Sequence, residues 1–213
     1  MIKAVIFDLD DTLVKTHVVK WAQHKAVARD TYGRELTDEK LREHWGKPFN
    51  ALVAALHDNV DTLENMLAAY AANAHLFPKE LHDATTDTIH VLLERGIKLG
   101  IVTATNKVFL LRDLKQLNIP SEEFFFLQAA DETDFHKPDP RVFDQILGKL
   151  EREGISKDET MYVGDAVNDW YAARDAGMHF VGVTTGLHSA EEFSAAGAPK
   201  TIARLSELSA SIS

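Results

Sequence analysis

The chain is organised around short runs of apolar residues, each cut off abruptly by polar or acidic ones, with helical patterns between them. Residues 4–7 (Ala-Val-Ile-Phe) form the first run, which ends at Asp8. Runs at 97–102, 124–127, 161–163 and 180–183 repeat the pattern, and 201–203 is a weaker sixth. Uninterrupted apolar runs of this length fit strands buried on both faces of a parallel sheet. The stretch 81–95 reads as a helix closed by Gly96, and 107–117 as one started by Asn106, a residue type that caps helix beginnings. The stretch 140–153 opens on Pro140 and stops at Gly154, and 167–176 stops at Gly177. Strands alternating with such helices predict an α/β fold with right-handed crossovers and a doubly wound, mostly parallel sheet.

One segment breaks the alternation. From about Val14 to Leu76 there is no strand pattern, only helical spacing (Val18, Trp21, Ala22, Ala26; then Leu63, Met66, Leu67, Tyr70) punctuated by Gly33, Gly46 and Pro48. The expectation is a small all-helical domain, residues 15–77, inserted after the first strand into an α/β core made of 1–14 and 78–213.

Composition bounds the chemistry. A hydrophobic share of 45% over 213 residues supplies one core of ordinary size and a small second lobe. The absence of cysteine excludes disulfides, thiolate metal sites and cysteine catalysis. A formal net charge of −10 repels nucleic acids and anionic membranes, and no basic run counters it. An anionic small-molecule substrate would therefore need a cation and local lysines at its site. No stretch approaches the roughly 18 apolar residues that span a bilayer, and the first residues lack a signal-peptide pattern. The expectation is a soluble cytoplasmic protein that binds neither membrane nor nucleic acid, with nothing to favour a monomer over a homodimer.

Ligands of open α/β sheets bind beyond the carboxyl ends of the strands. There this chain places Asp8, Asp10 and Thr12 after the first run, and Thr103, Ala104 and Thr105 after the second. Lys137 follows the third, and Gly164, Asp165 and Asp169 follow the fourth. Asp8 and Asp10 are two apart, so an extended chain projects them to the same side. Carboxylates gathered at one spot repel unless a hard cation shares them or one stays protonated, and Mg2+ suits an oxygen site completed by a substrate phosphate. Phosphoryl transfer asks mainly for positioning and charge neutralisation, and a carboxylate nucleophile is an established route.

The motifs Phe-Asp-Leu-Asp-Asp-Thr-Leu (7–13), Ile-Val-Thr-Ala-Thr (101–105), Lys-Pro-Asp-Pro (137–140) and Gly-Asp-Ala-Val-Asn-Asp (164–169) resemble, in order, those of the haloacid dehalogenase superfamily and its phosphatase branch. The helical insert resembles that family's cap domain. The resemblance implies Mg2+-dependent hydrolysis of a small phosphorylated metabolite through an aspartyl-phosphate. It makes Asp8 nucleophile and metal ligand, and Asp10 acid/base and a ligand through its backbone carbonyl. Asp165 becomes the third protein ligand, supported by Asp169, and Thr103, Ala104 and Lys137 become phosphate-binding residues. Asp169 reads equally as a first-turn helix residue favoured by the dipole.

Departures refine this. Asp11 stands where many members carry glycine, which stiffens the turn and removes no catalytic group. Halide-releasing and phosphonate-cleaving members replace the second aspartate, which is present here as Asp10. Sugar-phosphate mutases of the family carry a histidine four residues beyond a threonine on the first cap helix; here Thr16 is followed by Lys20. The mutase and a non-catalytic phosphate-binding module are the rival readings. Thr16, Lys20 and Lys47 are candidates for substrate specificity, with solvated surface as the plain alternative for the lysines. Trp21, Trp45 and Phe49 read either as pocket lining or as core of the helical lobe, and His136 as exposed.

Overall fold

A computed structural model describes every residue except Gly46, Pro48 and Ser213, so the punctuation expected at Gly46 and Pro48 lies outside the described residues. The chain divides into two compact units: Met1–Lys15 with Glu80 onward, and Thr16–Lys79.

In the first unit, strand β1 (Ala4–Phe7) is followed by a two-residue strand, β2 (Val14–Lys15). The chain returns through β3 (Glu80–Leu81), which pairs antiparallel with β2 in the register Val14↔Leu81 and Lys15↔Glu80. This ribbon corrects the helix expected from 81. Ala84 takes a left-handed conformation at φ 65°, and helix α5 (Thr85–Glu94) begins only after it. Two residues per strand carry no period that a sequence can show, and the ribbon also moves the unit boundary from the expected Phe77–Pro78 to Lys79 and Glu80.

The second unit, taken by itself, contains α1 (His17–Tyr32), α2 (Asp38–His44), α3 (Phe49–Leu56) and α4 (Leu63–Asn73). Thr37 and Thr62 cap α2 and α4 by accepting the N–H groups of Lys40 and Asn65. Helix α1 ends at Gly33, whose φ of 61° is the left-handed geometry a glycine adopts without strain. Its buried residues are Gln23, His24, Ala26, Val27 and Ala28, while Val18 is 63% exposed. The inward face of α1 is thus partly polar, rotated from the stripe that apolar spacing suggested.

The first unit continues with β4 (Lys98–Val102), α6 (Lys107–Gln116), β5 (Phe126–Gln128), α7 (Asp144–Arg152), β6 (Thr160–Gly164), α8 (Val167–Ala176), β7 (His179–Val183), α9 (Ala190–Ala195) and β8 (Thr201–Ile202). The six longer-range partners form one sheet in the order β5-β4-β1-β6-β7-β8, every pairing parallel. Val5 and Phe7 face a core completed by α5, α6 and the C-terminal turn, through residues such as Ile89, Leu92, Leu114 and Leu208. Ala4 and Ile6 face the opposite core, built by α7, α8 and α9 through Ile146, Leu150, Ala172, Ala173 and Phe193. With both faces covered, β1 and β6 are buried throughout and β4 and β7 beyond their first residue, which is why they read as solid apolar runs. Asn106 stands at the N-cap of α6 but makes no side-chain capping bond; the N–H of the first helical residue, Lys107, donates to Asp131 at 2.8 Å. No described helix is long and apolar enough to cross a membrane.

Candidate active site

β1 is central, with β4 on one side and β6 on the other, so the residues leaving these three strands meet at one sheet edge. Asp8 is fixed there by its N–H, which donates to Val163 O at 2.9 Å. The chain then turns back on itself. Leu13 and Val14 donate to Leu9 O, and Asp11 donates to Val14 O at 2.7 Å. Asp11 adopts φ 59°, a left-handed geometry that costs a non-glycine residue energy. Thr185, in the loop after β7, donates its hydroxyl to Asp11 O at 2.6 Å and pins that turn.

Three ionic groups converge beside Asp8. The Lys137 ammonium lies 3.1 Å from Asp8 Oδ1 and 2.6 Å from Asp169 Oδ1, with its side chain only 10% exposed. Asp8, Asp165 and Asp169 each offer an oxygen within 4.8 Å of the others. Asp169 sits in the first turn of α8, where its second oxygen accepts the Ala166 N–H at 3.0 Å. It therefore caps the helix and binds the lysine at once. Expected to support Asp165 or to stand as a first-turn helix residue, Asp169 brings an oxygen within 4.8 Å of those of Asp8 and Asp165. Gly164 makes room for it, since a Cβ there would overlap the Asp169 carboxylate.

The electrostatics follow from burial. Asp8 is pushed up to about 7, mainly by desolvation, with Asp169 and Asp10 adding to the rise and Lys137 only partly offsetting it. Desolvation, then Asp169, Asp8 and Asp11, holds the Asp165 carboxyl well above the usual range. Burial pulls Lys137 towards losing its proton, but Asp169 and Asp8 prevail and keep the ammonium charged. Three buried carboxylates thus face one cation. Such an oxygen-only donor set fits a small hard divalent ion such as Mg2+, whose charge would relieve the repulsion that raises Asp8 and Asp165.

The remaining predicted residues fall into place unevenly. Asp10 turns its carboxylate aside, where Oδ2 accepts the Thr105 hydroxyl at 2.5 Å, so its side chain is outside the Asp8–Asp165–Asp169 group. Thr103 is buried just beyond β4; its N–H donates to Gln128 O and its hydroxyl oxygen accepts the Thr105 N–H at 3.1 Å. Ala104, between them, is exposed. Thr12 reaches Asp165 Oδ1 at 3.4 Å. Thr16, Lys20 and Lys47 belong to the helical unit. There Thr16 occupies the N-cap of α1, Lys20 donates to Gln23 Oε1, and Lys47 lies 2.9 Å from His44 Nδ1. Trp21 and Trp45 pack against that unit's own core, Phe49 is 48% exposed, and His136 is exposed.

Three residues escaped the sequence reading. Thr185 and Gly186 follow β7, and a Cβ on Gly186 would overlap the Asp165 carboxylate. Their strand-end position after 180–183 was the available signal. Tyr162 lies inside an apolar run, and its hydroxyl accepts from Lys137 Nζ at 2.9 Å.

Comparison with known proteins agrees with this layout. The family model for haloacid dehalogenase-like hydrolases matches residues 5–183. Pyrophosphatase PpaX of Bacillus pumilus is 29% identical over 192 residues, covering 89% of this chain and 87% of that protein. Phosphoglycolate phosphatase of Escherichia coli is 31% identical over 172 residues, 80% of this chain and 62% of that enzyme. Among solved structures, CbbY from Rhodobacter sphaeroides in complex with phosphate superposes with a TM-score of 0.75 at 20% identity, covering 98% of this chain and 96% of that one. A family match across most of its length, on the strands that carry the aspartate cluster, makes this chain a member of the haloacid dehalogenase-like hydrolases.

Proposed function

We propose that the chain hydrolyses small phosphomonoesters in two steps, with Asp8 as nucleophile. An Asp8 oxygen attacks phosphorus, the bond to the ester oxygen breaks, and Asp10 gives its proton to the departing alcohol. Asp10 then takes a proton from water, whose oxygen attacks the phosphorus of the aspartyl-phosphate. Inorganic phosphate leaves and the Asp8 carboxylate is restored. The Thr105 hydroxyl on Asp10 Oδ2 orients that carboxyl for both transfers. Lys137, with the Thr103 hydroxyl and the backbone at Ala104, would neutralise and hold the transferring group. Asp8, Asp165 and the Asp10 carbonyl would hold Mg2+, with Asp169 beside them, and the ion supplies charge neutralisation at the phosphoryl oxygens.

The observation that carries this reading is the Lys137 ammonium held between Asp8 and Asp169 within a buried carboxylate cluster. Surface ion pairs need no such arrangement, whereas a phosphoryl group transferring to Asp8 needs a fixed cation beside it. The names of the relatives, a pyrophosphatase and a phosphoglycolate phosphatase, place an anhydride and a small carboxylated ester on the substrate panel with sugar phosphates and nucleoside monophosphates.

The test is phosphate release from that panel with Mg2+ present. Asp8→Asn should lower turnover by at least about 10^4-fold while the circular dichroism spectrum stays native. EDTA should abolish turnover, and added Mg2+ should restore it. Wild-type rates in Asp8→Asn would dismiss the mechanism, and an isomeric sugar phosphate formed in place of free phosphate would assign the mutase reading.

A further inference from the structure

An ammonium group has three protons directed to the corners of a tetrahedron; the Lys137 ammonium pairs with Asp169 Oδ1 at 2.6 Å, donates to Tyr162 Oη at 2.9 Å and stands 3.1 Å from Asp8 Oδ1, an oxygen that accepts no hydrogen bond. The first two partners are themselves locked. Asp169 is held by the Ala166 N–H through its other oxygen. Tyr162 is fully buried in β6, its ring in edge contact with Phe143 at a centroid distance of 4.8 Å, and its hydroxyl lies 2.9 Å from Val102 O. A carbonyl can only accept, so the single hydroxyl proton of Tyr162 goes to Val102, and the phenolic lone pair is left facing Lys137. The polarity of the chain Lys137 → Tyr162 → Val102 is therefore fixed by valence.

With two N–H vectors spent on immobile partners, the ammonium is fixed 3.1 Å from Asp8 Oδ1. From these contacts we infer that Tyr162 is a positioning residue: it holds the Lys137 ammonium beside the oxygen at which phosphorus would meet Asp8. Without it, Asp169 holds the ammonium at one corner only, and the group can rotate about that contact. Val102 is the residue before Thr103, so the same hydroxyl also ties the end of β4 to the lysine. It thereby sets two separate phosphate-binding elements in one frame.

This inference rests on the phosphohydrolase reading, and its test separates the two. Tyr162→Phe keeps the ring and its packing on Phe143 and removes only the hydroxyl. The charge of Lys137 stays near the site through Asp169, so substrate attraction persists while the fixed placement needed in the transition state is lost. Turnover should fall at least about tenfold, the effect of one hydrogen bond to a charged group, with KM moving less than about threefold. Phe143→Leu disturbs the same ring without touching the lysine; it should lower the melting temperature yet leave kcat within about twofold. In spectra of protein carrying 15N-lysine, the Lys137 ammonium resonance should shift or broaden in Tyr162→Phe and remain in Phe143→Leu.

Wild-type kcat in Tyr162→Phe, or equal losses of kcat in both variants, would overturn the inference, as would an unchanged ammonium resonance. If the wild type releases no phosphate from any substrate, the phosphohydrolase reading falls instead. The ammonium resonance then still decides whether Tyr162 holds the lysine.

Discussion

Gly186 shows how closely single residues are fitted around the aspartates. The Asp165 carboxylate occupies the space a side chain would need at position 186, and Thr185 beside it secures the left-handed turn at Asp11. Gly186→Ala sets a methyl group where the Asp165 carboxylate now lies, so the carboxylate is displaced from its place beside Asp8 and Asp169 unless the loop moves, while no charged group is removed. The expected result is an affinity for Mg2+ lowered by about 10- to 100-fold, the usual cost of disturbing a residue that orients a metal ligand. Isothermal titration with Mg2+ measures this without any substrate, and unchanged affinity would show that the loop yields freely. Residues of this kind do not stand out in the chain beyond their strand-end position, because a glycine there reads as an ordinary turn. The aspartates and Lys137 were legible because their types and order carry the chemistry. Tyr162 was hidden for the opposite reason: inside Met-Tyr-Val it counts as an apolar letter, although its hydroxyl does the work.

At the scale of elements, the strands that run deep through the sheet were the most readable. Ala4–Phe7 matches its apolar run residue for residue, and 161–163 and 180–183 lie within β6 and β7. Helix α8 matches 167–176, closed by Gly177 at φ 78°. Edge elements drifted: β5 is Phe126–Gln128 and not 124–127, because residues 121–123 form a tight turn and Phe124 only approaches the sheet. In the helical unit, α1 turns Gln23 and His24 inward, which apolar spacing could not announce. The Tyr70 hydroxyl on α4 joins His24 Nδ1 at 2.6 Å and His57 Nε2 at 2.7 Å, and all three residues are buried.

Burial, then Lys20 and His57, lowers His24 to about 3, so it is neutral in the folded protein while the unfolded chain takes up a proton near 6.5. The contribution of this neutral contact is whole above about pH 6.5 and is lost as pH falls towards 3. Hydrogen exchange in residues 17–32 and 63–73, corrected for intrinsic rates, should quicken progressively below pH 6.5. Protection that stays flat down to pH 4 would contradict it.

For the whole molecule, the decisive linkage is between protons, Mg2+ and stability. Asp8 in the folded protein titrates at about 7 against 3.8 in the unfolded chain, chiefly through burial. Without metal, the proton it retains stabilises the fold fully below about pH 3.8, and this contribution is lost as pH rises through 7. A divalent cation bound to the same carboxylate replaces the proton, and competes with it. Mg2+ should therefore raise the melting temperature by several degrees more at pH 8 than at pH 5.5, on the order expected for a difference of one to two kcal/mol. Thermal melts with and without Mg2+ across that range measure it, and an effect independent of pH would place the ion elsewhere.

The two-residue strands β2 and β3 have a consequence for how such a molecule diversifies. Residues Lys15 and Glu80 are register partners, so a stretch of 64 residues starts and finishes on neighbouring backbones. An excursion whose two feet stand side by side exerts no demand on the spacing of the strands it leaves and rejoins. The inserted helices can be shortened, enlarged or exchanged for others while the parallel sheet keeps its register, much as a handle is changed without recutting the blade.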